Sequence, residues 1–152
     1  MRKIGDRNLN DQMQEFVDLQ MEKIYSKKTI ALAKNPVNLG RMNDPDGGAV
    51  VKGICGDTME IYLQIDRDII KRIKFFTDGC GVTLACGSAL TDLVKGSKIH
   101  NVLNISPQHL IKYLGGLPRD GIHCAILAVC TLHIAISDYL IKSSSGNSGF
   151  VE

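Results

Sequence analysis

Soft metal ligands stand at three places in the 152-residue sequence: Cys55 followed by Gly56 and Asp57, Cys80 between Gly79 and Gly81, and His123 directly before Cys124. Thiols, an imidazole and a carboxylate are the donor types that hold iron or zinc, and a thiolate is also a nucleophile toward sulfur and other electrophiles. The adjacent glycines let the backbone approach a bound ion or cluster closely. No C-x-x-C pair occurs, so spacing alone does not decide between metal ligation and thiol reactivity.

The elements around these residues place all three groups at junctions. From Leu9 to Lys34, apolar Met13, Phe16, Val17, Met21, Ile24 and Leu32 recur near 3.6-residue spacing, predicting one amphipathic helix that Asn35-Pro36 stops. Residues 38–48 are loop chemistry. Met59, Ile61, Leu63 and Ile65 alternate with Glu60, Tyr62, Gln64 and Asp66, which predicts a half-buried strand. Asp66-Arg67-Asp68 then turns the chain into a partner strand over 69–77, and a strand near 49–54 completes an antiparallel sheet with one wet face. Cys55 falls between two strands, and Cys80 where a strand yields to a helix running to Gly96. Ser106-Pro107 opens a short helix that ends before Gly115-Gly116, and His123-Cys124 begins the last, mostly apolar helix. Helix N-terminal amides favour negative charge, so Cys80 and Cys124 are both expected to have lowered thiol pKa values.

Composition narrows the function further. Eighteen Lys and Arg against sixteen Asp and Glu leave a net charge of +2, and aromatic residues make up 5% with no Trp. Neither a basic stripe nor base-stacking platforms are expected, which argues against nucleic-acid binding. The start has no apolar run of the kind a signal peptide carries, so a cytoplasmic location is expected, and five cysteines there read as free thiols, ligands or nucleophiles. Residues 122–141 carry one formally charged side chain, Asp138, and are nearly long enough to span a bilayer. His123, Thr131, His133 and Ser137 interrupt them, so they are read as a buried core helix, with no membrane role. The expected architecture is α+β: a three-stranded antiparallel sheet packed against helices in a single domain, 1–142. It divides into an N-terminal helix at 9–34, the sheet at 49–78 and a helical part at 81–142, with a flexible small and polar tail at 143–152.

These motifs also carry a resemblance. Tyr25-Ser26, Asn35-Pro36-Val37-Asn38-Leu39-Gly40, Ile54-Cys55-Gly56-Asp57, Phe76-Thr77-Asp78-Gly79-Cys80-Gly81, Val94-Lys95-Gly96, Leu117-Pro118 and Ile122-His123-Cys124-Ala125-Ile126-Leu127 occur in this order. Over 49–140 above all, the sequence resembles the iron-sulfur cluster scaffold family of IscU and the N-terminal part of NifU. The resemblance implies that Cys55, Cys80 and Cys124 are the scaffold thiolates, with either His123 or Asp57 as fourth ligand. It further implies that a cysteine desulfurase delivers persulfide sulfur, for which Cys124 is the candidate acceptor. A transient 2Fe-2S cluster then forms with iron and passes to apo-proteins such as ferredoxins. The protein would then be a scaffold and carrier, not an enzyme turning over a small substrate. A carboxylate in place of a fourth thiolate should hold the cluster less tightly, which gives Asp57 a role in lability. The same donor set suits tetrahedral zinc, so zinc is expected to occupy the site as well.

The sequence departs from the family at several points. Leu117-Pro118-Arg119-Asp120-Gly121 stands where bacterial members have Leu-Pro-Pro-Val-Lys, which weakens the expectation of an Hsp70-type chaperone partner and leaves Gly121 where a lysine is usual. Val37 replaces the arginine of Asn-Pro-Arg-Asn. The alternative is a zinc-dependent sulfurtransferase of the SufU type, but that branch carries an insertion between the second and third ligand motifs that the Cys80–Cys124 segment lacks. Cys86 and Cys130 each lie six residues after a proposed ligand, some 120 degrees around a helix, and are expected to be buried small hydrophobes. His133 reads as a packed or capping residue, His100 and His109 as surface residues, and Arg67, Lys71, Arg72 and Lys74 as a solvated strand face.

Overall fold

Alternation along the strands decides which face of the sheet is dry. Met59, Ile61, Leu63, Ile73 and Phe75 are buried, and they point to one side of a sheet ordered β1-β2-β3, with β1 over Gly47–Lys52, β2 over Thr58–Asp66 and β3 over Ile69–Thr77. The computed structural model describes residues 8–146. Both pairings are antiparallel. Arg67 and Asp68, at φ 53° and 62°, form the two-residue turn that joins β2 to β3, the left-handed pair that suits the twist of a tight hairpin. A register shift between Gln64 and Ile65 brings Ile70 into the core. Asn38–Gly40, within the expected loop, pair with Phe75 at the free edge of β3.

The buried face is covered by α3 (Gly81–Val94) and α6 (Ile122–Gly146), with α4 (Ile99–Val102) and α5 (Pro107–Tyr113) closing the far side of one hydrophobic cluster. α6 is long and apolar enough to cross a membrane, and half of its apolar window is packed inside this core. It also runs on through Ser143–Gly146, where a flexible tail was expected; the rest of that tail, 147–152, lies outside the described residues. Ser106 and His109 form a reciprocal capping box at the start of α5, so His109 is a capping residue and more than a surface one. The four-residue α4 was not legible in the sequence.

The expected single helix over 9–34 is two helices, α1 (Leu9–Glu22) and α2 (Lys27–Lys34). Ser26 breaks it: its Oγ accepts the Thr29 backbone N–H at 3.0 Å and bonds the distant Leu114 carbonyl at 2.5 Å, fixing Ser26 in an extended conformation. The apolar stripe of α1 buries none of its residues; Met13 and Phe16 are 58% and 63% exposed. α1 is tied to α2 by the Asp18–Lys34 ion pair at 2.9 Å.

α3 is buried on nearly every side, beyond the single apolar stripe that the sequence showed, because it is wedged between β3, α2 and α6. Its small residues permit this. A Cβ on Gly87 would stand 2.3 Å from the Phe75 ring, so the sheet touches the helix backbone there. Gly87→Ala should therefore lower stability by about 1–3 kcal/mol through overpacking, despite alanine's better helix propensity. Equilibrium urea unfolding of both proteins measures this.

Candidate metal centre

An antiparallel meander sends alternate connections to opposite ends of the sheet. The β1–β2 loop carrying Cys55-Gly56-Asp57 and the exit from β3 carrying Asp78-Gly79-Cys80 therefore lie at one end, where Met59 pairs with Thr77. The two loops are stitched together: the Thr58 N–H donates to Asp78 Oδ1 at 2.7 Å, and the Thr77 hydroxyl donates to the Thr58 carbonyl at 2.6 Å. Within the first loop the Gly53 N–H donates to the Asp57 carbonyl, and Gly56 takes φ 92°, a conformation glycine adopts without strain. The start of α6 packs here too, and Gly121 comes close to Val82 of α3.

The residue at the centre of the group is Thr83, the third residue of α3, which is wholly buried. Its hydroxyl donates to Asp57 Oδ2 at 2.9 Å and lies 3.4 Å from Cys124 Sγ and 3.8 Å from Cys80 Sγ. His123 Nε2 is 3.6 Å from Cys124 Sγ. Cys55 is exposed on its loop. The structure thus gathers Asp57, Cys80 and Cys124 around one hydroxyl, sets His123 beside Cys124, and leaves Cys55 exposed on the adjoining loop. Among the described residues, no three His, Cys, Asp or Glu side chains are drawn close enough to hold a metal ion, so these groups are near one another without forming a closed cage. Sequence reading missed Thr83; its place three residues after Cys80, on the same face of a helix, was the available signal.

The two thiols at helix starts behave differently. At Cys80 burial pushes the thiol up, but the backbone N–H groups of Thr83 and Val82, with the Thr83 hydroxyl, outweigh it and hold the thiol below its ordinary value. Cys80 occupies the N-cap position of α3 without making a formal capping hydrogen bond, so this is stabilisation by nearby dipoles. For Cys124 the expectation reverses. Burial raises its thiol, the Thr83 hydroxyl offsets part of this, and negative charge on Cys80, Cys55 and Asp57 adds to the rise. The third position of α6 places Cys124 at a helix start, but 3% exposure removes the water that would solvate a thiolate.

An apolar cleft of about 330 Å³, lined by Val17 and Met21 of α1 and Ala33 of α2, opens onto Cys80. Cys86 lies in the core as expected, its thiol pushed far up by burial. Cys130, expected to be buried like Cys86, is exposed, because it faces outward on α6 in line with Ile126 and Ile134. His133 is half-buried, and its Nε2 has no partner among the described residues. Arg67, Lys71 and Arg72 are solvated, and Lys74 is partly covered.

A three-stranded antiparallel sheet with helices on one face, and thiols gathered at one end, defines an α+β thiol-bearing fold of known type. Residues 24–145 match the NifU-like N terminal domain, and the chain belongs to that family. It is 40% identical over 121 residues to the iron-sulfur cluster assembly scaffold protein IscU of Aquifex aeolicus, covering 78% of this chain and 77% of the relative. It is 36% identical over 118 residues to the nitrogen fixation protein NifU of Azotobacter chroococcum, covering 76% of this chain and 38% of that longer protein. The fold is shared with the crystal structure of a NifU-like N-terminal protein from Brucella abortus, at TM-score 0.64 and 19% identity, covering 80% of this chain and 98% of that one.

In the reduced, metal-free protein, iodoacetamide should modify exposed Cys80 about tenfold or more faster than buried Cys124. The Cys80 rate should also reach half its maximum at lower pH, since a lowered pKa supplies thiolate sooner as pH rises. Peptide mapping across a pH series reads both.

Proposed function

We propose that this protein is a scaffold on which a 2Fe-2S cluster is built from iron and desulfurase-derived sulfur and from which it passes to recipient apo-proteins. The observation that carries the reading is the gathering of Asp57, Cys80 and Cys124 around Thr83, with His123 beside Cys124 and Cys55 on the adjoining loop. The names of its relatives support it. Cys55, Cys80 and Cys124 supply thiolates, and Asp57 or His123 the fourth donor. Zinc is accommodated by the same set. All five cysteines are free, which suits the reducing cytosol, the location we assign.

Sulfur arrives from a cysteine desulfurase. A scaffold thiolate attacks the terminal sulfur of the partner's persulfide; a new S–S bond forms on the scaffold, and the desulfurase cysteine leaves as thiolate. We assign acceptance to Cys124, on a condition set by its burial: the chain around it must open first. Of the three site thiols, Cys55 and Cys80 are already exposed. The open arrangement suits cargo that must leave, and a carboxylate ligand binds iron less tightly than a thiolate would.

Anaerobic incubation with a desulfurase, cysteine and iron should produce a visible iron-sulfur chromophore that transfers to an apo-ferredoxin. Persulfide transfer with zinc retained and no chromophore would instead indicate a sulfurtransferase, and that result, or the absence of both activities, would overturn the scaffold reading. Serine at Cys55, Cys80 or Cys124 should abolish stable assembly, whereas Cys86→Ala should retain it. Asp57→Ala should lengthen the lifetime of the bound cluster, followed as decay of its absorbance.

A further inference from the structure

We propose that Thr83 is a positioning residue that selects Asp57, rather than His123, as the fourth ligand beside the thiolates. The inference rests on the scaffold reading of this site and names the group that decides a choice which the sequence leaves open.

Thr83 is rigid on three counts. It is wholly buried, it sits in the first turn of a packed helix, and its β-branched side chain has few rotamers there. Its hydroxyl has one proton and three neighbours. The Asp57 carboxylate, at 2.9 Å, is the nearest and the strongest acceptor while the cysteines carry their protons, so the hydroxyl proton goes there in the metal-free protein. This bond turns one carboxylate oxygen toward the hydroxyl that the sulfurs also approach. Gly79 makes room for it: a Cβ there would stand 2.7 Å from Asp57 Oδ2 and 2.8 Å from the Thr83 hydroxyl. Among the described residues no hydrogen bond engages Asp57 Oδ1, which leaves that oxygen available to a metal.

His123 has no comparable support. Its Nε2 approaches Cys124, and among the described residues nothing steadies its Nδ1. A ligating imidazole ordinarily has its second ring nitrogen anchored, and the loss of such an outer partner costs about 10–100-fold in metal affinity. Asp57 therefore enters the metal-bound state already oriented, while His123 must first be ordered.

The test uses Co²⁺ added anaerobically to the full-length reduced protein. Thiolate-to-cobalt absorption reports the sulfurs, and the ligand-field bands report the fourth ligand. In the wild type, Asp57→Asn should shift the ligand-field bands and His123→Ala should leave them unchanged. Thr83→Val, close in shape but without the hydroxyl, should weaken Co²⁺ binding by about 10–100-fold. It should also exchange the two sensitivities: His123→Ala now shifts the bands and Asp57→Asn does not. Thr83→Ser should restore the wild-type pattern, and Thr83→Ala, should the valine variant fail to fold, should reproduce the exchange.

A Thr83→Val or Thr83→Ala protein that keeps both the wild-type affinity and its sensitivity to Asp57→Asn would overturn the proposal while leaving the thiolate site intact. So would a wild type that responds to His123→Ala and not to Asp57→Asn. Absence of thiolate-to-cobalt absorption in the wild type would refute the scaffold site and this inference together. A purely structural role for Thr83 would lower the melting temperature and leave the band pattern unmoved.

Discussion

Only one face of the three-stranded sheet is apolar, and everything else follows from the need to cover it. Met59, Ile61, Leu63, Ile73 and Phe75 must be shielded from water, and α3 and α6 are the elements long and apolar enough to do so. Because the strands form an antiparallel meander, the β1–β2 loop and the exit from β3 share one end of the sheet. A helix leaving β3 there must fold straight back across the buried face, so α3 begins where the Cys55 loop sits. α6 crosses the same face and brings His123 and Cys124 to the same end. The thiol site is a consequence of how the core is closed.

That geometry sets different chemistry for residues that look alike in sequence. Cys80 and Cys124 both stand at the start of a helix, yet dipoles from backbone N–H groups lower one thiol and burial raises the other. A helix N-terminus stabilises a thiolate by a modest amount, which desolvation readily exceeds once the sulfur is enclosed. Exposure, set by neighbouring elements, therefore decides which thiol is ready to react. Thr83 acts in the same way on the carboxylate: one buried hydroxyl gives Asp57 a direction that its own loop does not impose.

The mixture of tight and open parts suits a protein that holds cargo temporarily. α3 is packed so closely that its backbone touches Phe75, and its Ser88 and Thr91 hydroxyls are satisfied by the backbone around them. The Cys55 loop, by contrast, is solvent-exposed, and Ile54 beside it is 97% exposed. A rigid wall carrying Cys80 and Thr83 thus faces an accessible loop.

Much of the fold was legible from residue order alone, because its signals are local. Alternation named β2 and β3, Asp66-Arg67-Asp68 marked the hairpin, Ser106-Pro107 opened α5, and the three groups of soft ligands were plain as motifs at element ends. What the sequence could not settle was whatever depends on contacts between distant segments. A hydrogen bond from Ser26 to Leu114 splits one periodic stretch into α1 and α2, and the apolar face of α1 stays exposed because the core is already covered. Cys130 carries the same apolar signal as Cys86 but faces outward. Thr83 carries no motif at all; its importance arises because folding brings Asp57, Cys80 and Cys124 to its hydroxyl. Local sequence determined which soft donors this protein carries, and only tertiary packing decided their exposure, their orientation and how readily Cys80 and Cys124 lose their protons, since burial and directed hydrogen bonds come from residues far apart in the chain.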